Sequence, residues 1–562
     1  MLPESYVDRR YPQWRAQTLW SLLADCVDRF PQREFFTFES YDCTYEQAYR
    51  LALQTAKGLM ALGVRPGDHV ALLLHNCPAF LLLTFALAAI GAVKVPINAN
   101  LGEVELRYIL EHTGARLLFS ERQLPEPTLD GLQNLRGTVL ANCRETPPHG
   151  YRGMRWEDFL AGGDVISDAE LRGVSERCQD PYALSDIMFT SGSTARPKGV
   201  MLTHDMLLRS SFATCRCRNM EEGRRIFIPI PLFHLMAYNE ALLPVLHVGG
   251  TLILTNQRYE PRHCLEMIRT HRANDIVCVS SIMVDLLTKC SPRPEDFPEM
   301  RHGYWASACP EWIWQAGKAA FGLEDVCTGY GMTECGSTTT MATVFDPPEL
   351  VRTSHGRLKE AGAAGCREFG GHLLELRVCD AGGQELSPGE SGELYCRGLT
   401  VTKGYYNDPE ANTRAFTKDG WFRTGDLVRL DGSGYLTYLG RISDIYKING
   451  ENVSPRFVEQ VIGASPQVAA VEVVGLCHPK CGEVGVAFID APNRDGQTGQ
   501  DILAYCREHL AGFQIPKYFI FSGSEDWPRT GSGKVRKRAL RELASDCLSG
   551  RFKQAQVFDT RK

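Results

Sequence analysis

Short runs rich in Val, Ile and Leu, among them His69 to His75, Thr251 to Thr255 and Ile276 to Ser280, recur between segments whose apolar residues fall at helical spacing. Alternation of this kind commits a chain to α/β layers. Gly63 to Leu74 shows the unit: a helix end at Gly63, the turn residues Pro66-Gly67-Asp68, then a strand at Val70-Ala71-Leu72-Leu73-Leu74. Its unbroken apolar character suits a strand buried on both faces. Ala79 to Val93 is the greasiest stretch, yet Lys94 and Pro96 follow too soon for a bilayer span. It reads as a buried helix running into a core strand. At 562 residues the chain exceeds what one core supports, so a large composite domain plus a smaller one, or three domains, is expected.

The texture changes between His372 and Arg397, where Leu374-Glu375-Leu376-Arg377-Val378 and Glu393-Leu394-Tyr395-Cys396 alternate with Gly and Pro, as in a small β-rich subdomain. Beyond Arg441 the pattern is compact α/β again: a helix over 458–462, strands near 471–475 and 484–489, and a helix over 501–510. With 44% apolar and 23% charged residues the chain should fold as a soluble globular protein rather than stay disordered. A net charge of −6 offers no long-range attraction for a phosphate backbone, which disfavours nucleic-acid binding. Twenty cysteines spread from Cys26 to Cys547 suit reduced thiols better than a disulfide scaffold. Met1-Leu-Pro-Glu-Ser-Tyr-Val-Asp shows no basic region followed by an apolar one, and Thr560-Arg561-Lys562 is not a peroxisomal Ser-Lys-Leu, so a cytoplasmic location with no integral membrane segment is expected. Cys215-Arg-Cys217 and Cys477-His-Pro-Lys-Cys481 lack partner pairs at zinc spacing. No Gly-x-Ser-x-Gly elbow supports a serine hydrolase.

The most informative segment is Asp186-Ile-Met-Phe-Thr190-Ser191-Gly192-Ser193-Thr194-Ala-Arg-Pro-Lys198-Gly-Val200. An apolar strand runs directly into hydroxyls, glycine and a cation. Successive backbone N–H groups of such a loop can converge on an oxyanion, and Lys198 adds compact positive charge. The spacing is not that of a Walker A loop. Four further stretches carry chemistry-bearing groups, three of them at Gly-rich turns. Thr328-Gly329-Tyr330-Gly331-Met-Thr333-Glu334 brings backbone close to a ligand beside an aromatic face, a hydroxyl and a hard carboxylate. Gly420-Trp-Phe-Arg-Thr-Gly-Asp426, followed by Gly440-Arg441, offers a carboxylate for paired hydroxyls and a guanidinium for sugar or phosphate. Pro231-Leu-Phe-His234 carries a lone His near apolar residues. Pro528-Arg-Thr-Gly-Ser-Gly-Lys534-Val is a loop built to deliver one cation to developing charge. The adjoining Arg536, Lys537 and Arg538 read as a solvated basic face.

These segments, in this order and over nearly the whole chain, resemble the acyl-adenylate-forming superfamily of acyl-CoA synthetases, firefly luciferase and nonribosomal peptide adenylation domains. The resemblance implies an α/β fold: a large N-terminal domain, 1–441, of two α/β layered subdomains plus a small β-rich subdomain, and a small mobile α+β C-terminal domain, 442–562. It implies ATP-dependent activation of a carboxylic acid as acyl-AMP, then thioester formation with coenzyme A, with Mg²⁺ held at Glu334. ATP or AMP is expected at Thr190, Ser191, Gly192, Ser193, Thr194, Lys198, Ser307, Ala308, Tyr330, Gly331, Asp426, Tyr438 and Arg441. Lys534, Thr333, Glu334 and His234 take the catalytic positions, His234 for packing and gating rather than proton transfer. Ser443 and Asp444 stand at the interdomain hinge, where relatives usually have Asp or Lys, and Ser307-Ala308 stand where relatives often carry glycines. Lys447, Gly450 and Glu451 are expected along the thiol tunnel. His234, Tyr238, Trp305, Gly329, Gly336 and Ser337 are expected around the acyl group, a medium or bulky aryl, fatty or polycyclic acid. Partners are the acid and coenzyme A, with a homodimer left open. Two alternatives stay open on the same fold: a single half-reaction, or loading of a carrier-protein thiol. A catalytically silent nucleotide sensor is the alternative from another class.

Overall fold

The computed structural model describes residues 2–141, 153–190, 196–255, 259–306, 311–448, 451–478, 482–529, 535–549, 551 and 555–561. The chain divides into two compact units, one comprising Met1–Cys309, Ile313–Leu376 and Cys396–Phe422, the other Pro310–Trp312, Arg377–Tyr395 and Arg423–Lys562.

The first unit holds two large sheets. One runs in the order Met154–Arg155, Gly137–Leu140, Leu117–Ser120, His69–Leu73, Val93–Pro96, Leu184–Thr190, Lys198–Thr203. Neighbouring strands are parallel until the last hairpin, in which Thr190 faces Lys198 in antiparallel register. Strand order reverses at His69–Leu73, whose chain successor lies on one side and Leu117–Ser120 on the other. Such switch points leave a crevice beyond the carboxyl ends of the strands. The other sheet runs Arg357–Leu358, Ser337–Ala342, Asp325–Met332, His302–Ala306, Asp275–Val279, Arg225–Ile228, Thr251–Leu254, Glu34–Phe38, Tyr41–Thr44, parallel in the middle and antiparallel at both ends. Phe227, Ile253, Ile276, Met283, Trp305, Trp314 and Phe321 build one core on it.

The helix Pro78–Ala89 shows why the local sequence folds as it does. Proline at its first turn gives up an N–H that would have no partner there, and every residue from Ala79 to Ala89 is buried. A helix apolar all round belongs inside a protein, and this one packs against Tyr45–Ala61. The latter starts at a capping box in which Thr44 and Gln47 bond each other's backbone N–H.

Leu374–Cys379, Ser391–Gly398, Phe422–Leu430 and Leu436–Arg441 form the β-rich sheet that the sequence anticipates. In the second unit a further sheet runs Glu451–Val453, Tyr446–Ile448, Gly482–Asp490, Tyr518–Phe521, Gln556–Asp559, with Ala470–His478 paired to Gly482–Asp490. The helix expected over 501–510 begins earlier, at Gly496, because Asp495 accepts the Thr498 N–H and caps it. One expectation needs correcting. Arg536 and Arg538 are exposed, but Lys537 between them is not part of a solvated face. Its ammonium pairs with Glu459 and Glu472 and donates to the Val473 carbonyl at 2.9 Å. Burial lowers its proton affinity, but the two carboxylates outweigh that and hold it above the ordinary lysine value. Helical phase turns position 537 inward onto Ala470–His478.

Candidate active site

In the first unit Thr190 ends its strand at the carboxyl edge of the seven-stranded sheet and Lys198 opens the return strand. Ser191, Gly192, Ser193 and Thr194, expected between them, lie outside the described residues, as do Ser307 and Ala308. Residues 402–406 run alongside this return strand. Met201 N–H donates to the Gly404 carbonyl at 3.2 Å, Tyr406 N–H donates to the Gly199 carbonyl at 2.8 Å, and Val200 bridges Tyr405. The Lys198 ammonium lies 4.8 Å from the centroid of the Tyr405 ring. From the same ring, the Tyr405 hydroxyl donates to Glu334 Oε1 at 2.9 Å, and Thr402 N–H holds the Glu334 carbonyl at 2.7 Å. Tyr405 therefore joins the two charged groups that the sequence placed far apart. It was missed because Gly404-Tyr405-Tyr406-Asn407 has no periodicity to separate it from an ordinary loop.

Thr333 and Glu334 sit on a tight 3₁₀ turn, Thr333–Cys335, between the strands Asp325–Met332 and Ser337–Ala342. Those strands pair with a bulge between Tyr330 and Gly331. A Cβ at Gly331 would lie 1.8 Å from the Ser337 carbonyl oxygen, so no other residue fits there without moving the turn. Gly336 and Ser337 both take left-handed backbone, with φ of 78° and 82°. Glu334 is nearly enclosed and presents hard oxygen of the kind Mg²⁺ prefers, so the residue present fits that ion.

Of the residues expected around an acyl group, Tyr238 is fully buried within the π-helical turn Tyr238–Leu242, and burial drives its phenol well above the ordinary tyrosine range. The Lys94 ammonium lies 4.0 Å from its ring centroid and 3.1 Å from the buried Asp186 carboxylate. Burial pulls the Lys94 value down against the pull of Asp186. His234 caps the short helix Leu235–Ala237, its ring 4.7 Å from that of Phe233. Trp305 requires a correction: its indole is enclosed in the core with Trp314 at 4.9 Å and Met283. Side chains alternate along a strand, and it is Tyr304 whose hydroxyl approaches Gly329 and lies 3.2 Å from the Thr338 hydroxyl.

The second unit holds the remaining expected groups. Asp426 and Arg441 face each other across the antiparallel pair Phe422–Leu430 and Leu436–Arg441, with Arg441 Nε 2.9 Å from Asp426 Oδ1. Arg441 also donates to the Thr424 carbonyl at 2.8 Å. Asp426 is buried and Arg441 exposed, a carboxylate held by a displaceable cation. Burial, with the Asp426 charge second, raises the Tyr438 phenol. Ser443 and Asp444 follow on the turn Ile442–Asp444, and Asp444 lies 3.7 Å from Arg541. Lys447 and Glu451 are exposed on the hairpin of Tyr446–Ile448 with Glu451–Val453. Gly450, between those strands, lies outside the described residues. So does Lys534, although Arg529 and Val535 on either side form an antiparallel bridge.

The described cysteines are all free, Cys215 and Cys217 being buried on the helix His204–Cys217. Among the described residues no group of three or more His, Cys, Asp or Glu is arranged to hold a metal ion, and no helix is long and apolar enough to cross a membrane.

The first unit thus carries Lys198 on a hairpin and the buried Glu334 carboxylate on a Gly-rich turn, and the second carries the Asp426–Arg441 pair. The solved anthranilate CoA ligase AuaEII, in complex with anthranoyl-AMP, shares this fold: TM-score 0.84 at 24% identity, over 95% of this chain and 99% of that one. The Bacillus subtilis (strain 168) protein YngI is 31% identical, over 93% of this chain and 96% of its own. Feruloyl-CoA synthase of Amycolatopsis sp is 33% identical, over 89% of this chain and 93% of its own. The model of the AMP-binding enzyme matches residues 23–406, and that of the AMP-binding enzyme C-terminal domain matches 458–534. The chain belongs to the AMP-binding enzyme family, as an AMP-forming acyl-CoA ligase.

Proposed function

We propose that this ligase uses ATP to convert a medium or bulky carboxylic acid, aryl acids foremost, into its acyl-AMP, and then passes the acyl group to coenzyme A. The observation that carries the reading is the Lys198–Tyr405–Glu334 constellation, which presents a cation over the face of one buried ring and a hard carboxylate at its hydroxyl, beside the Thr190 strand end. A carboxylate resists nucleophiles because it is anionic and its oxide leaves poorly; adenylation cures both faults. Substrate oxygen attacks the α-phosphorus, and pyrophosphate leaves toward the loop between Thr190 and Lys198. Thr333 holds the α-phosphate, and Lys534 neutralises charge as it builds. Glu334 would hold Mg²⁺, which would supply positive charge against the charge that develops in the transfer. Asp426 accepts the ribose hydroxyls and Arg441 donates to sugar or phosphate. The thiolate of coenzyme A then attacks the acyl carbon and AMP leaves. In this reading 442–562 turns about Ser443 and Asp444, withdrawing Lys534 and presenting Lys447, Gly450 and Glu451 to the thiol. The name of the feruloyl-CoA synthase, at 33% identity, supports an aryl acid.

Pyrophosphate–ATP exchange with a panel of acids, together with coenzyme A consumption, tests the reading. Exchange dependent on one class of acid, followed by stoichiometric loss of free thiol, is expected; no exchange with any acid would overturn it. Lys534→Ala should abolish exchange yet spare thioester formation from synthetic acyl-adenylate, and equal loss of both would show that Lys534 has another role.

A further inference from the structure

We infer that Glu240 and Lys359, linked through the Thr214 hydroxyl in a network buried behind the Thr333–Ser337 turn, are positioning residues for the adenylation step: they clamp the turn that carries Thr333 and Glu334. The inference rests on the adenylation reading above and adds two residues whose hydrogen bonds among the described residues go to neither Thr333 nor the Glu334 carboxylate, Glu240 reaching the turn through the Ser337 hydroxyl.

The geometry is closed. Glu240 is wholly buried on the π-helical turn, a distortion of the kind that gathers at functional sites. Its Oε2 accepts from the Thr214 hydroxyl at 3.0 Å, and its Oε1 accepts from the Ser337 hydroxyl at 3.1 Å and from the Thr338 hydroxyl. Lys359, equally buried, donates to the Ser210 carbonyl at 2.9 Å, the Ser210 hydroxyl at 3.2 Å and the Thr214 hydroxyl at 2.9 Å. All three of its N–H groups are thus taken. Each bridging hydroxyl accepts from Lys359 and donates onward, Thr214 to Glu240 and Ser210 to the Gly336 carbonyl at 2.5 Å. Asn239, beside Glu240 in the chain, donates to the same carbonyl at 3.0 Å.

Two arms from one buried charge pair therefore end on Gly336 and Ser337. These are the two consecutive residues with left-handed backbone that close the turn after Glu334. A serine held there is strained, and such strain persists only where the surroundings over-determine it. Without Lys359 the buried carboxylate would lose one of the two cations near it, Arg218 being the other, and without the carboxylate the hydroxyl donors would lose their acceptor. Burial lowers the proton affinity of Lys359, and the Glu240 charge opposes this only in part. The far end of the turn is fixed separately by Thr402 on the Glu334 carbonyl. Releasing one end would let the Glu334 carboxylate and Thr333 hydroxyl drift by a fraction of an ångström.

Wild-type enzyme is measured first for pyrophosphate–ATP exchange; if it shows none, the adenylation reading fails and takes this inference with it. With exchange present, Glu240→Gln and Lys359→Met should lower its rate by about 100-fold, the scale set by small misplacements of reacting groups, and raise the Mg²⁺ concentration needed for half-maximal rate. Thioester formation from synthetic acyl-adenylate, per folded molecule, should stay near the wild-type value. Glu240→Asp, which keeps the carboxylate, should recover part of the lost exchange. Ser210→Ala removes a single link, and should show the same split in milder form even if the charge variants do not fold. Parallel loss of both half-reactions, or unchanged exchange in folded variants, would overturn the inference.

Discussion

A phenol between an ammonium and a carboxylate does two things at once. The Tyr405 ring face attracts the Lys198 ammonium, and its hydroxyl donates to Glu334. Hydrogen bonds to charged groups are worth roughly 1.5–3 kcal/mol, so removing this one should be felt where Glu334 works. Tyr405→Phe keeps the ring and hence the lysine contact. Its adenylation rate should fall about 10-fold or more while the melting temperature changes little. Pyrophosphate–ATP exchange against Mg²⁺ concentration measures this. If the variant matches wild type at every Mg²⁺ concentration, the Tyr405–Glu334 bond has no part in catalysis. Tyr405 also marks where reading by residue stops. Glu334 and Lys198 were legible because Gly-rich context singles them out, whereas an aromatic that works by linking two distant segments leaves no mark of its own in the chain.

Among the elements, the strands of the parallel sheets and the helix Pro78–Ala89 follow from local pattern alone, because full burial demands unbroken apolar sequence. What the pattern could not supply was facing. Trp305 was assigned to the acyl group and Lys537 to solvent, and both face a core, since strand phase and helix phase are fixed by neighbours distant in sequence. The polar network behind Ser337 was invisible for the same reason: Glu240, Lys359, Ser210 and Thr214 come from separate segments. The bulge at Tyr330 and Gly331 is the element where local and tertiary demands meet. Gly331→Ala should lower stability by about 3 kcal/mol, because its Cβ would overlap the Ser337 carbonyl oxygen and push the two strands apart. Exchange activity should fall with it even at temperatures where the variant is folded. Thermal unfolding with a far-ultraviolet signal checks the first, and a variant as stable as wild type would show that the strands yield without cost.

For the molecule as a whole, two buried histidines set an acid limit. Burial lowers the value of His204 from 6.5 to about 4, with the Lys94 charge adding to the effect. Burial likewise lowers His247 from 6.5 to about 4. The structure shows why the neutral rings are wanted: His204 Nδ1 accepts the Leu19 N–H at 3.4 Å, and His247 lies edge-on to Tyr11 and Phe212, with the Ser211 hydroxyl 3.0 Å from Nε2 and no carboxylate among the groups that shift its proton affinity. Protonation would cost the first its acceptor and place the second's charge among apolar groups. Between pH 6.5 and 4 the unfolded chain binds protons that the folded chain refuses, so stability is fully present above 6.5 and falls as pH drops through that window. Each ring contributes about 3 kcal/mol to the loss by pH 4. Carboxylates that are paired in the fold add their own acid loss, so the histidine share is read as a difference between proteins. Denaturant unfolding of wild type and His247→Gln at a series of pH values isolates it. The variant, less stable than wild type at pH 7 for its poorer packing, should lose less stability on acidification, so that the two curves converge. Curves that stay parallel would mean that His247 is already able to take a proton in the folded protein.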